Sequence, residues 1–225
     1  PGSTTRGNIR SHISLRDECD RLGIDYKYDP YEERIKDPRQ TAKWIPNTYS
    51  MKNWLRLAGW YVSKGSVYES EGKKHENTVR GESWSFIISN ATTKERRKIG
   101  SLLNKMGLTF YSGGKDFKIG NKVISQIFGK DFGRGSYNKG IPDWIWELDG
   151  NLIQNLLDTA FLGDGNKDGN RYITVSEDLK EDFIRLAFHC GKRAHEWAYD
   201  SGACRIGYYD RTKGMRPTVK NRDRE

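Results

Sequence analysis

The sequence has little cysteine and no long apolar run, and both absences narrow its class. Its three cysteines, Cys19, Cys190 and Cys204, are odd in number and widely spaced among 225 residues. This usage favours reduced thiols inside a cell over a disulfide-bonded secreted fold. No apolar stretch approaches the ~20 residues that a membrane-spanning helix needs, and no hydrophobic signal segment opens the chain. We therefore expect a cytoplasmic protein of prokaryotic or phage type, without a membrane partner.

Residues that would form a zinc site are also sparse. The candidates all lie near the C-terminus: His189, Cys190, His195 and Cys204. Their spacing matches no standard zinc pattern, because His189 and Cys190 are adjacent and no second close pair follows. The sequence therefore does not favour a zinc protein.

A calcium loop is similarly incomplete. Asp164, Asn166, Asp168 and Gly169 match the first half of an EF-hand loop, but Val175 stands where the closing glutamate belongs. An apolar strand, rather than a helix, is predicted to follow. A calcium-binding module is therefore only a third hypothesis, which a calcium titration would test.

What the chain has in abundance is positive charge and aromatic residues. The net charge is +9 with a sequence pI near 9.4, and there are seven Trp, twelve Tyr and eight Phe residues. A basic surface indicates an anionic partner. Because Trp, Tyr, Arg and Lys alternate on predicted strands, we expect that partner to be nucleic acid.

The most informative feature is a stretch that occurs twice. Residues 54–65 read WLRLAGWYVSKG, and residues 154–165 read QNLLDTAFLGDG. Each is an apolar helix with small residues at its centre and a glycine at its end, and similar elements follow each copy. Small central residues allow two helices to approach closely. We expect each terminal glycine to adopt the left-handed conformation that often follows a helix.

This pair resembles the LAGLIDADG motif of homing endonucleases, including those embedded in inteins. The first copy, LAGWYVSKG, is close to the family pattern except for Lys64. The second copy, LLDTAFLGDG, lacks the Ala-Gly centre but keeps the Gly-Asp-Gly end. The resemblance covers about residues 50–225.

The resemblance implies an α+β, pseudo-two-fold fold. Two αββαββα-like modules would carry curved antiparallel sheets that form a DNA-binding saddle, and the two motif helices would meet at the axis. We predict an N-terminal extension or arm at residues 1–50, a first module at 51–150 and a second module at 151–225. Such a single-chain protein would be a monomer.

Local signals place the remaining elements. Helices are predicted at 14–22, 92–106 and 179–190, each ending at a glycine. Strands are predicted at 84–89, 171–176 and 204–210. Hairpins are expected from 108–111 with 115–119, around Ser112-Gly113-Gly114, and from 204–210 with 217–220.

The resemblance also implies a metal-dependent site at the two motif ends. Acids there hold divalent cations beside the scissile phosphates, and Mg²⁺ suits carboxylate oxygens, with Ca²⁺ or Mn²⁺ as substitutes. Asp164 is in the right place, with Gly163 and Ser63 as further metal-site positions. Lys64 stands at the equivalent position but does not suit this role, because its ammonium group repels a metal cation. Lys64 is therefore either an introduced inactivating change, natural decay, or the mark of an enzyme that nicks one strand.

Basic residues complete the predicted site. The repeat alignment pairs Lys118 with Lys220, and we assign to both the family's role of activating water, with Lys122 and Lys213 as rivals. Cations on or beside the hairpins are predicted to bind DNA. These are Lys73, Lys74, Arg80, Lys115, Arg205, Arg211, Lys213 and Arg216.

We therefore predict a homing endonuclease that binds double-stranded DNA sequence-specifically and cleaves its phosphodiester bonds with Mg²⁺. Lys64 is expected to impair cleavage, or reduce it to nicking, while binding is retained. The alternative is a non-catalytic nucleic-acid-binding protein on the same fold, such as a maturase or a DNA-binding regulator. The residue at position 64 discriminates between them.

Overall fold

The computed structural model describes residues 10–39, 43–70, 74–75, 78–79, 82–89, 91–165, 171–198 and 204–210. The N-terminal elements are β1 (His12–Ser14), α1 (Leu15–Leu22), β2 (Lys27–Asp29), β3 (Arg34–Lys36), β4 (Ile45–Pro46) and β5 (Thr48–Ser50). The central elements are α2 (Met51–Lys64), β6 (Gly65–Ser70), β7 (Lys74–His75), β8 (Thr78–Val79), β9 (Ser83–Ile88), α3 (Thr93–Lys105), β10 (Tyr111–Gly113), β11 (Asp116–Ile119) and α4 (Lys122–Asp131). The C-terminal elements are a 3₁₀ helix (Asp143–Glu147), α5 (Gly150–Asp164), β12 (Arg171–Thr174), α6 (Glu177–His189), β13 (Lys192–Ala198) and β14 (Cys204–Asp210).

Helix boundaries largely follow the capping signals of the sequence. The side chains of Ser14, Thr92 and Ser176 each accept a hydrogen bond from a backbone N–H in the first turn of the helix that follows. Gly23 and Gly191 end their helices in the left-handed conformation, with φ of 60° and 71°. The predicted helices at 14–22, 92–106 and 179–190 are therefore confirmed to within about two residues.

The two motif helices, α2 and α5, pack directly against each other. A Cβ atom added to Gly59 would lie 2.6 Å from the Leu156 carbonyl oxygen and 2.7 Å from Thr159 Cβ. Further along, a Cβ on Gly163 would lie 2.8 Å from Ser63 Cβ. The small residues at the centre of each motif are thus required by the close approach of the helices, as the sequence predicted.

The glycines that follow the motif helices do not adopt the expected left-handed conformation. Gly65 has φ −85° and ψ 156°, and Gly165 has φ −75° and ψ 162°, both extended. Space, rather than φ, requires glycine at both positions. An added Cβ would lie 2.6 Å from the Tyr61 carbonyl oxygen at Gly65, and 2.8 Å from the Phe161 carbonyl carbon at Gly165. The chain can therefore turn from helix to strand at the helix end itself.

Each module contributes one antiparallel sheet of three or more strands, and the first also contains the short β7-β8 pair. The first has the strand order β10-β11-β9-β6, and the second has the order β12-β14-β13 among the described residues. In the first sheet Ile87 lies opposite Lys118, which lies opposite Tyr111. In the second sheet Ile173 lies opposite Arg205, which lies opposite Trp197. The two rows, Ile87–Lys118–Tyr111 and Ile173–Arg205–Trp197, are equivalent positions of the repeat.

Two predicted hairpins need correction. The first hairpin is shifted along the chain. Its first strand is Tyr111–Gly113 instead of 108–111, and its turn lies at residues 114–115 instead of 112–114. The strand at 204–210 is confirmed, but it pairs with β13 on one side and β12 on the other. Because β14 lies between β12 and β13, both of its edges are already paired, and the predicted pairing with 217–220 does not form there. Residues 217–220 themselves lie outside the described residues.

The N-terminal region packs onto the first module. Ile13, Leu15, Ile35 and Tyr49 belong to the same hydrophobic core as the motif helices. The Arg21 guanidinium donates hydrogen bonds to Asp131 at the end of α4, at 2.7 Å. The division of the chain into three parts stays a prediction. Within the described residues, no helix is long and apolar enough to cross a membrane.

Candidate functional site

The packing of α2 on α5 brings Lys64 and Asp164 to neighbouring helix ends. Each is the last residue of its helix, directly before the extended glycine. The contact of Gly163 with Ser63 joins the helices one residue earlier. Ser63 donates its hydroxyl hydrogen to the Gly59 carbonyl at 2.9 Å, so Ser63 and Gly163 both lie in the helix seam. Their assignment to a metal site stays a prediction.

Lys64 forms a largely buried ion pair with Glu95. Its Nζ lies 3.0 Å and 3.2 Å from the two carboxylate oxygens, and the two side chains are only 13% and 10% exposed. Glu95 is itself fixed, because its carboxylate accepts the Thr92 N–H at 2.6 Å in the capping box of α3. The ammonium therefore has a rigid carboxylate partner at the place where the family motif carries an acid.

Sequence reasoning missed Glu95. The signal was present as the Thr92-x-x-Glu95 capping box, but a cap is a local feature and does not indicate contact with a residue 31 positions away. Glu69, the first acid after Lys64 in the sequence, pairs with Arg134 at 2.9 Å. Glu71 lies outside the described residues.

Asp164 lies in an unusual electrostatic environment. Its side chain remains exposed at the helix end, but the surrounding protein removes part of its hydration and raises the pKa of the carboxyl above its ordinary value. The charges of Lys64 and Lys139 act in the opposite direction and lower that pKa. Asp164 thus faces two cations.

Lys139 is the second residue that the sequence did not reveal. It lies in the glycine-rich connection after α4, yet its side chain is only 6% exposed. Its Nζ donates hydrogen bonds to the Tyr61 and Val62 carbonyls, at 2.8 Å and 3.0 Å, near the end of α2. The Ser176 hydroxyl donates to the Lys139 carbonyl at 2.6 Å and anchors its backbone. A cavity of about 150 Å³ is lined by Lys139 and Asp164, among others.

Burial lowers the pKa of Lys139 from 10.5 to about 8, although Asp164 opposes the shift. Above pH 8 the folded protein releases this proton while the unfolded chain retains it. Stability contributed by this group therefore rises with pH between about 8 and 10.5 and is constant below that window. Lys139→Met lacks this titrating group. We therefore expect the free energy of unfolding of the parent to rise by about 3 kcal/mol relative to that of Lys139→Met between pH 8 and 10.5.

Urea denaturation of both proteins at a series of pH values measures this change. Other titrating groups cancel in the difference between parent and variant. A difference that stays constant from pH 8 to 10.5 would show that Lys139 has an ordinary pKa.

The described acids do not form a complete metal site. No cluster of three or more His, Cys, Asp or Glu residues suited to a metal occurs in the part of the chain that the structure describes. The carboxylate of Glu95 is engaged by Lys64, and the Lys64 ammonium repels a divalent cation. With this residue at position 64, the site does not provide the pair of acids that the family resemblance implies.

The outward face of each sheet carries cations beside aromatic rings. Lys118 is exposed between the buried Phe117 and Ile119. Arg205 occupies the equivalent position in the second sheet, with its guanidinium carbon 4.8 Å from the centre of the Trp197 ring. The register therefore places Arg205 at the position of the second sheet that corresponds to Lys118. The assignment of Lys220 stays a prediction, because Lys220 lies outside the described residues. Arg171 and Arg193 lie in the same sheet and were not singled out from the sequence.

The other predicted basic residues fall in three groups. Lys115 is exposed in the β10–β11 turn. The backbone of Lys74 lies in β7. The rest lie outside the described residues: Lys73, Arg80, Arg211, Lys213, Arg216 and Lys220. Lys122, the alternative to Lys118, is buried, and its Nζ lies 3.4 Å from the Asp37 carboxylate and 3.2 Å from that of Glu82. The ion pair with Asp37 links α4 to the N-terminal region.

No family model matches this sequence. Among curated proteins, it is 32% identical to an ATP-dependent Clp protease proteolytic subunit of Chlamydomonas moewusii, over 63% of this chain and 14% of that protein. It is 22% identical to an uncharacterised protein of Methanocaldococcus jannaschii, over 95% of this chain and 25% of that protein. A DNA polymerase of Thermococcus hydrothermalis is 24% identical over 78% of this chain and 11% of that protein. The chain thus spans a quarter or less of these relatives' lengths.

Solved structures show the fold. The homing endonuclease I-DmoI in complex with DNA and Mn superposes with a TM-score of 0.52 at 12% identity, covering 71% of this chain and 90% of that one. Its complex with DNA and Ca gives a TM-score of 0.51 at 12% identity, covering 71% and 83%. The expected LAGLIDADG fold is therefore confirmed.

Proposed function

We propose that this chain, which has the LAGLIDADG fold, binds double-stranded DNA across the outward faces of its two sheets. We further propose that Lys64 blocks metal-dependent cleavage of both strands. The protein is then a member of the homing endonucleases in which binding is retained and nuclease activity is impaired. It acts as a monomer, because one chain supplies both modules.

The observation that carries the binding proposal is the matched row in the two sheets. Lys118 beside Tyr111 and Arg205 beside Trp197 occupy equivalent positions on the face opposite the core, where Lys118 is exposed and Arg205 is half-buried. Two-stranded antiparallel ribbons fit the major groove, where lysine and arginine bind phosphates or guanine. Two such faces, related by the repeat, suit a long duplex. The net charge of +9 supports the same partner, and the I-DmoI structures were determined with DNA.

The relatives support a module that is inserted into other proteins. A Clp protease subunit and a DNA polymerase have unrelated names, yet each contains a segment similar to this chain that makes up 14% or less of its length. Such a distribution suits an intein-type endonuclease. The activities in those names then belong to the rest of each protein and not to this module.

The site at the helix ends supports the loss of cleavage. Mg²⁺, when bound between acids in such a site, would activate water and stabilise the leaving oxygen. This chain provides Asp164 on one helix, but on the other helix it provides an ammonium held by Glu95. Lys139, with a pKa of about 8, can hold or release a proton beside Asp164 at physiological pH. It can therefore donate a hydrogen bond to a DNA phosphate at this site or stabilise its negative charge.

Salt-dependent binding to a random-sequence duplex tests the DNA proposal. Each cation that neutralises a phosphate contributes about 0.9 to the slope of log K against log salt. We expect Lys118→Gln and Arg205→Gln each to lower this slope by about 1, and the double variant to lower it by about 2. Fluorescence anisotropy at several salt concentrations measures the slope.

Lys52→Gln is the matched control. Lys52 is exposed near the start of α2, roughly 18 Å along the helix from Lys64 at 1.5 Å per residue. Its loss should leave the slope unchanged. Equal slopes for all variants would place the DNA elsewhere on the protein.

A further inference from the structure

A second pocket lies between the helices and is lined by residues of α2, α3 and α5 only. Its volume is about 590 Å³, within the range of small-molecule sites. Its lining includes no strand residue, whereas the outward rows described above belong to strands. The pocket is therefore a separate feature from the proposed DNA-binding faces and from the Lys64–Asp164 site.

Four cations surround this pocket. Arg56 comes from α2, and Arg97, Lys98 and Lys105 come from α3. None of the four makes an ion pair or side-chain hydrogen bond with another described residue. The one acid of the lining, Asp158, already accepts a hydrogen bond from Gln154. Four cations against one acid leave the lining with a net positive charge, so a polyanion would stabilise this arrangement.

An amide of the lining offers a polar contact for an occupant. Asn53 lines the pocket and is only 7% exposed. Within the described residues its side chain has no hydrogen-bond partner. Its amide atoms are not among the fully enclosed, unpartnered polar atoms of the described residues, so they remain accessible from the pocket. The polar atoms of a bound molecule would supply the missing partner, while Trp60 and Leu162 provide apolar contact at the same site.

We propose that this pocket binds a small molecule that carries a polyphosphate group, of the size of a nucleoside triphosphate. Four cations match several negative charges better than a single carboxylate. The apolar part of the lining suits the organic portion of the ligand. The volume suits a small molecule rather than an extended strand.

Isothermal titration calorimetry tests the proposal with two probes, inorganic tripolyphosphate and ATP, in metal-free buffer at moderate salt. Both should bind at one site, because both carry the shared group. Tighter binding of ATP would assign the ligand to nucleotides, and equal binding would assign it to the polyphosphate itself. No binding of either probe would overturn the proposal.

Matched variants separate this pocket from general attraction to a basic protein. Arg97→Gln with Lys98→Gln should weaken binding of both probes by about tenfold or more. Lys27→Gln with Lys52→Gln, which removes the same charge from exposed positions outside the pocket lining, should change it less than about twofold. Equal losses in the two double variants would contradict a specific site.

Asn53→Leu provides a test without any change of charge. It keeps a similar volume, and it removes an amide that has no partner among the described residues, so thermal stability should not fall. We expect about fivefold weaker binding of tripolyphosphate. Unchanged affinity in a folded Asn53→Leu protein would show that the amide does not contact the ligand and would overturn this site.

Discussion

The Lys64→Glu variant is expected to linearise plasmid DNA from a randomised target library in the presence of Mg²⁺, while the parent chain does not. Glutamate restores an acid at the end of α2, opposite Asp164 on α5. It also removes the ammonium that repels a metal. We expect linear product to rise by about a hundredfold or more, because a metal site adds several kcal/mol of transition-state stabilisation.

Two variants isolate the cause. Lys64→Met removes the positive charge but adds no ligand, so it should bind DNA and leave it uncut. Asp164→Asn in the Lys64→Glu background should abolish the restored cleavage. Removal of Mg²⁺ with a chelator should have the same effect. Gel electrophoresis separates supercoiled, nicked and linear plasmid in each case.

The Lys64→Glu substitution also has a cost to folding. It replaces a buried ion pair with two neighbouring carboxylates, since the introduced acid lies beside the capped Glu95. We expect lower stability without metal and partial recovery with Ca²⁺, so folding must be checked by circular dichroism before cleavage is measured. No metal-dependent product from any folded variant, despite tight DNA binding, would sink the nuclease assignment and leave the binding protein. Nicked product from the parent chain would show that Asp164 acts without a second acid.

The second large effect is expected at the helix seam. Gly59→Val should lower the free energy of unfolding by about 4 kcal/mol or prevent folding, because overpacking of a close contact costs about 1–3 kcal/mol or more. The first added atom would lie 2.6 Å from the Leu156 carbonyl oxygen and 3.0 Å from the Ala160 nitrogen. Both are backbone atoms of α5, so the helices themselves must separate.

Gly100→Ala is the control for a helical glycine without this contact. Its Cβ would lie 3.8 Å from the Phe117 ring, an ordinary contact. Alanine is the better helix former, so this variant should gain about 0.5–1 kcal/mol. Urea denaturation of both variants gives the comparison. A Gly59→Val protein as stable as the parent would mean that the seam is looser than the structure shows.

The same separation would affect function. Lys64 and Asp164 are neighbours only because α2 and α5 touch along their length, so a wider seam moves the two helix ends apart. In a Lys64→Glu background, even Gly59→Ala should therefore reduce cleavage more than it reduces DNA binding. The ratio of the two measures the geometric requirement of the site.

Much of this arrangement was readable in the sequence because it depends on local or periodic signals. The duplicated apolar stretch with small central residues predicted the helix pair, and its resemblance to the LAGLIDADG motif implied the fold. Capping residues such as Thr92 and Ser176 located helix starts, since a cap is satisfied within three residues of its own position. The alternation around Lys118 predicted an exposed residue on a strand.

Other features depended on contacts that no local pattern encodes. Glu95 reads as a cap, and only the tertiary structure places it against Lys64. Lys139 reads as part of a solvated loop, yet its ammonium is buried against carbonyls of α2, 77 and 78 positions away. Strand register also places Arg205 at the position of the second sheet that corresponds to Lys118, which the sequence pattern did not indicate.

By itself, the sequence determined the repeat, the helix seam, the single acid at Asp164 and the basic character of the protein. These follow from residue type and spacing, which constrain backbone conformation and burial within each element. Only the tertiary structure decided which charges meet: Lys64 with Glu95, Lys139 near Asp164, and the four pocket cations that have no partner among the described residues. Electrostatic interactions depend on distance and on exclusion of water, and both are set by how distant elements pack.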